Sequence, residues 1–180
     1  MPNHVQNRIT FECEPEQIAE ILEQIKHDKY SIGTIDFEKI MPMPPEIYRG
    51  DLGQRERDLY GESNWYDWSV ANWGTKWNAY EFPERPYQMG EPLCFLTAWT
   101  PPHPILEKLS QMLPGIEITH EWADEDYGQN CGRRYYLGGD CTEDWVPGFE
   151  EDAVEFACEV WGTSPEEEGL LQDEPDLTES

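Results

Sequence analysis

Carboxylates are the residues of this sequence that occur in the densest groups, and dense carboxylates bind cations or basic surfaces. Glu150, Glu151, Asp152, Glu155 and Glu159 fall in a segment with the apolar spacing of a helix, residues 150–161. Carboxylates one helical turn apart come within about 7 Å of each other, similar to successive phosphates along one nucleic-acid strand. This group can therefore stand in for a phosphate row inside a basic cleft. Asp124, Glu125 and Asp126 form a second group, in a polar connection. Oxygen-rich loops hold Ca²⁺ or Mg²⁺ when about six ligands converge, but this run lacks the D-x-D-x-D-G spacing and the distant bidentate Glu of a calcium loop. A solvated turn, or an ion pair to Arg133 or Arg134, is the expectation there. A third group, Trp73, Lys76 and Trp77 around Gly74, offers an aromatic platform to a partner's side chain or a base. The alternative is that both Trp anchor irregular chain onto a core.

Catalytic chemistry has less support. His4, His27, His103 and His120 are scattered, none paired with Cys or carboxylate at ligand or triad spacing. His103 reads as a helix-start residue and His120 as a core histidine on the apolar side of a strand. No G-x-S-x-G, phosphate loop, H-E-x-x-H or G-x-G-x-x-G occurs. No catalytic, cofactor-binding or metal-binding residue is assigned, and a binding protein is favoured over an enzyme. The competing possibility is a small-ligand module or enzyme whose pocket is lined by Trp73, Trp77 and Tyr80.

Net charge narrows the partners. Over 180 residues, 38 Asp and Glu oppose 12 Lys and Arg, a balance of −26. Such a chain repels polyanions over a Debye length of about 8–10 Å, which argues against direct nucleic-acid binding and favours a basic protein surface, such as the groove of a host nucleic-acid-binding protein. Self-repulsion also favours a monomer. The imbalance is concentrated: residues 135–180 hold 15 carboxylates and no Lys or Arg. Five separated Cys, an odd number, suit free thiols and a cytoplasmic setting. No apolar run approaches the ~20 residues of a membrane span.

The elements that must position these groups follow from periodicity. Residues 4–12 alternate Val5, Asn7, Ile9 and Phe11 against Gln6, Arg8 and Thr10, a strand. Pro15 opens a helix with Ile18, Ile21, Leu22 and Ile25 at buried-stripe spacing. A second strand is expected at 34–41, closed by Pro42, Pro44 and Pro45. Residues 42–92 are an aromatic-rich excursion without clean periodicity, too long to lack structure altogether. Residues 93–99 form a continuous apolar strand; Thr100 caps the next helix with Pro101 at its first position, and Pro114-Gly115 ends it. Residues 116–122 alternate again, 131–137 can pair back as an added antiparallel strand, and 150–161 form an acidic helix stopped at Gly162. The order predicts an α+β fold, a ferredoxin-like split β-α-β antiparallel sheet with two helices on one face, plus an extra C-terminal strand and helix. Residues 1–162 are expected to form one domain, and 163–180 a disordered acidic tail.

The motifs MPNHVQNRITF, TIDFEKIMPMP, NWGTKWNAY, FLTAWTPPHPILEKLS and WADEDYGQNCGRRYY, in this order across residues 1–137, resemble the YubB-type ferredoxin-like proteins of plasmids and phages, most of unassigned function. The resemblance implies a mobile-element origin and the same fold, and carries no catalytic residues across. In that setting, small acidic proteins that inhibit a host-defence enzyme by occupying its nucleic-acid site are an expected class. The acidic stretch after residue 140 lies outside the resemblance.

Overall fold

Alternation makes β1: in His4–Glu12, Val5, Asn7, Ile9 and Phe11 are all buried while the residues between them lie half-exposed on the other face. The computed structural model describes residues 2–170. Around β1 stand β2 (Leu93–Ala98), β3 (Glu117–Asp124), β4 (Cys131–Leu137) and β5 (Asp140–Trp145). The five strands form one sheet in the order β2-β1-β3-β4-β5, with every neighbouring pair antiparallel. Among the described residues, five α-helices accompany the sheet: α1 (Pro15–Ile25), α2 (Gln54–Tyr60), α3 (Trp65–Asn72), α4 (His103–Met112) and α5 (Glu150–Trp161).

The unit β2-α4-β3 is split by β1, which lies between its two strands, and this is the ferredoxin-like α+β arrangement. α1 and α4 cover one face. Ile18, Ile21, Leu22 and Ile25 of α1 and Ile105, Leu106 and Leu109 of α4 share one core with Ile9, Phe11, Leu93, Phe95, Ile118 and Tyr136 of the sheet. α5 lies on the opposite face, where Ala153, Phe156, Ala157 and Val160 pack on Ala123 and Cys131.

Residues 34–41 do not form the expected strand. Ile35 and Phe37 are buried as the alternation predicts, but the local backbone bonds to Ile25 O, to its own turn and to side chains instead of a ladder. The Asp36 carboxylate accepts from Glu38 N at 3.0 Å and starts a 3₁₀ turn, Phe37–Lys39. Asn78 Oδ1 accepts from Phe37 N at 2.9 Å while Asn78 Nδ2 donates to Asp36 at 2.8 Å. The free side of β2 is met by Tyr80, which exchanges hydrogen bonds of 2.9 and 3.1 Å with Leu96, and by Thr75, whose hydroxyl donates to Ala98 O at 2.9 Å.

Thr100 does not cap α4. The helix starts two residues later, with Pro102 before His103, and the Thr100 hydroxyl donates to Gly74 O at 2.6 Å. The excursion holds α2 and α3, and its later half is irregular. β5 is an addition that the polar sequence DCTEDW did not announce; Gly138 and Gly139, with φ of 62° and 94°, make the tight turn before it. Past α5, Glu168 N donates to Ser164 O at 3.1 Å and Leu170 N to Pro165 O at 2.8 Å, so residues 163–170 turn back on themselves. Of the expected tail, 171–180 lie outside the described residues. Among the described residues no helix is long and apolar enough to cross a membrane.

Candidate functional site

α5 divides cleanly into a packing side and a carboxylate side. Its buried stripe faces the sheet, and Gly162, in the left-handed conformation at φ 78°, stops it. Glu150, Glu151 and Asp152 occupy its first turn, where the positive end of the helix dipole favours acids. Glu151, Glu155 and Glu159 follow at four-residue intervals, a rise of roughly 6 Å each. All five carboxylates are exposed. None makes an ion pair among the described residues.

The nearby cations are engaged elsewhere. Beneath α5, Glu121 on β3 accepts from Arg8 Nη2 at 2.8 Å, and from Arg133 Nε and Nη2 at 3.1 and 2.8 Å. Burial pushes the Glu121 carboxyl up, and the hydrogen bonds from the two Arg outweigh this and hold it below the usual carboxylate range. Arg8 also donates to Glu159 O at 3.1 Å, tying the last turn of α5 to β1.

Asp124, Glu125 and Asp126 separate into one structural and two outward residues. Asp124 ends β3, is buried, and accepts from Asn3 Nδ2 at 3.1 Å and Asp126 N at 2.9 Å. Glu125 and Asp126 are exposed, the former also accepting from His4 N at 3.0 Å. The expected ion pair to Arg133 or Arg134 does not form. The β3–β4 register sets Arg133 opposite Glu121, three residues short of Asp124, and Arg134 pairs with Asp144 at 3.3 Å. Trp161 Nε1 donates to Ala123 O at 3.0 Å and Asp124 O at 3.2 Å, which brings the C-terminal end of α5 beside this run. Among the described residues no group of three or more His, Cys, Asp or Glu could hold a metal ion.

Trp73 is a core residue, 3% exposed, packed edge-on against Phe37 and Trp68 with its Nε1 donating to Met41 O at 2.8 Å. Lys76 and Trp77 stay at the surface, where the Lys76 ammonium lies 4.5 Å from the Trp77 ring centre and 4.6 Å from that of Trp99. An open groove of about 1330 Å³ runs along the β2 edge, lined by Tyr30, Tyr80, Phe82, Tyr87, Leu96 and Trp161 among others. Tyr80 belongs to it; Trp73 and Trp77 do not. The Tyr80 hydroxyl lies 2.5 Å from His4 Nδ1, and burial pushes its pKa up to about 12.

A buried polar cluster lies on the α1/α4 face, where the sequence marked only its two His. His120 Nε2 lies 2.9 Å from Asn7 Oδ1, and its Nδ1 has no partner among the described residues. His103 packs edge-on to Trp122 with ring centres 4.7 Å apart, and burial, aided by the Arg134 charge, lowers its pKa to about 4. Burial raises Tyr136 to about 12. Both groups are neutral near pH 7 and act there as packing. Asn7, a polar residue repeating in phase with Val5, Ile9 and Phe11, was the available signal for this cluster.

Residues 72–164 match the model of the family described as a ferredoxin-like domain in Api92-like protein. That span runs from the end of α3 past α5, while β1, which the sheet places between β2 and β3, precedes it. No curated protein and no solved structure matches the chain.

Proposed function

We infer that this chain, which belongs to the family of ferredoxin-like domains in Api92-like proteins, is an acidic binding protein that acts on a basic protein surface. The observation that carries this reading is the outward stripe of α5, five exposed carboxylates without an ion pair among the described residues. Glu125 and Asp126 extend the same acidic surface near the C-terminal end of α5. The partner is a host nucleic-acid-binding or defence protein, and the carboxylates occupy the groove that otherwise takes phosphates. The encoding element is a phage or plasmid, in keeping with the YubB-type motifs, and the protein acts as a monomer in the host cytoplasm.

Binding of this kind is steered by charge and weakens steeply as salt rises. The test is affinity for a protein with a basic nucleic-acid groove, titrated across salt concentrations, for the native chain and for E151Q/E155Q/E159Q. The native chain shows the steep dependence and the variant a shallower one; equal dependences in both remove α5 from the reading. Removing the whole segment after Leu137 is the wrong perturbation, because α5 buries Ala153, Phe156, Ala157, Cys158 and Val160.

The groove at the β2 edge favours a second reading, a small-ligand module with Tyr80, Phe82 and Tyr87 as its aromatic lining. Saturable protection of these residues by a small aromatic ligand, unaffected by the α5 variant, would select it.

A further inference from the structure

The outer edge of β5 is open. β4 pairs with its inner edge, no strand pairs with the outer one among the described residues, and every residue from Asp140 to Trp145 is exposed. Such an edge is a template for one more strand. Apolar surface continues from its end: Val146 is 62% exposed and Phe149 77%. Beside them opens a cavity of about 230 Å³ lined by Trp122, Cys131, Val146, Pro147 and Ala153. That volume falls below the ~300–1,000 Å³ typical of small-molecule pockets and suits a single side chain.

Charge decides which strand the edge accepts. Asp140, Glu143 and Asp144 lie along β5, and Glu150, Glu151 and Asp152 follow just beyond it. Arg134 meets Asp144, and no Lys or Arg occurs between residues 135 and 180. A second copy of this chain would set acid against acid, and like charges facing each other across strands are destabilising. A strand carrying Lys or Arg reverses the sign.

We propose that the β5 edge is the docking site for an extended basic segment of the partner protein, which adds as a sixth strand and seats one apolar side chain in the cavity beside Val146 and Pro147. The inference rests on the acidic-binding reading and states how the partner is held once charge has drawn it in. Main-chain hydrogen bonds supply affinity, and the cavity and the carboxylates of β5 supply selection.

The probe is a labelled peptide alternating Lys and Val with a terminal Leu, compared with a peptide of equal charge alternating Lys and Gly. Both are titrated into the full chain, with amide hydrogen exchange as the structural readout. The Lys/Val peptide slows exchange at residues 141–145. V146S/F149S weakens it roughly tenfold, the loss expected when an anchor is removed. Ser at position 149 is a better residue than Phe to start α5, so that variant keeps its helix. E151Q/E155Q/E159Q retains the slowed exchange at β5. Protection confined to α5, or equal binding of both peptides to V146S/F149S and the native chain, overturns the β5 site while leaving charge-driven binding intact. Failure of both peptides to bind at low salt overturns the acidic-binding reading as well. Dimerisation through β5 at high salt, seen as protection of 141–145 without peptide, overturns the choice of occupant.

Discussion

His103 ties the stability of the fold to pH between about 4 and 6.5, alongside His120, which burial and the neighbouring His103 also hold well below the usual imidazole range. Its ring is packed against Trp122 and His120, and burial followed by the Arg134 charge lowers its pKa from 6.5 to about 4. Between these values the unfolded chain takes up a proton that the folded one resists, so stability rises with pH across the window and is lost as pH falls from 6.5 towards 4. At about pH 5 the unfolded imidazole is almost fully protonated and the folded one almost neutral, a difference of about 2 kcal/mol. For a domain of this length that corresponds to a melting point lower by about 4–8 °C. Acid also relieves self-repulsion among the carboxylates, which acts in the opposite direction. His103→Asn isolates the imidazole, since the variant carries the same carboxylates without the titrating ring. Thermal melts of both proteins at pH 7 and pH 5, followed by near-ultraviolet circular dichroism, are expected to show a larger acid loss in the native chain. Equal losses would refute the assignment of the window to His103.

Other consequences are equally direct. Glu121→Ala leaves Arg8 and Arg133 unpaired beneath α5 and should cost about 2–4 kcal/mol in urea denaturation, with Glu121→Gln costing less. Gly132→Ala would bring a methyl carbon within 2.7 Å of Trp145 O and 2.8 Å of the Trp122 ring, so it should cost about 1–3 kcal/mol and speed amide exchange in β5. Lys76→Met removes a cation from between two indoles and should cost about 0.5–1 kcal/mol, with a change in Trp fluorescence. E151Q/E155Q/E159Q should leave the melting point unchanged or raise it slightly, because it removes like charges at i,i+4 spacing.

Periodicity made most of the sheet legible. The alternation of Val5, Asn7, Ile9 and Phe11, the stripe of Ile18, Ile21, Leu22 and Ile25, and the apolar run at Leu93–Ala98 all describe one-sided or continuous burial, which is what the pattern measures. Residues 34–41 misled because Ile35 and Phe37 alternate as in a strand, while Asp36 and a distant Asn78 supply the hydrogen bonds that a ladder would have made. β5 was hidden for the opposite reason: a fully exposed edge strand has no buried side to set a period, and Gly138-Gly139 was its one signal. For the site, the carboxylate spacing on α5 could be read directly, since a helix fixes which residues share a face. The burial of Trp73 and Asp124 could not, because it depends on Met41 and Asn3, partners far away in sequence.

Competition measures the central claim most directly: duplex DNA bound to a protein with a basic nucleic-acid groove is titrated with this chain, and with E151Q/E155Q/E159Q, at low and at high salt. A nucleic-acid mimic releases the DNA at low salt, releases less at high salt, and loses potency in the variant. Formation of a ternary complex with the DNA still bound, or release equal for chain and variant, would contradict it.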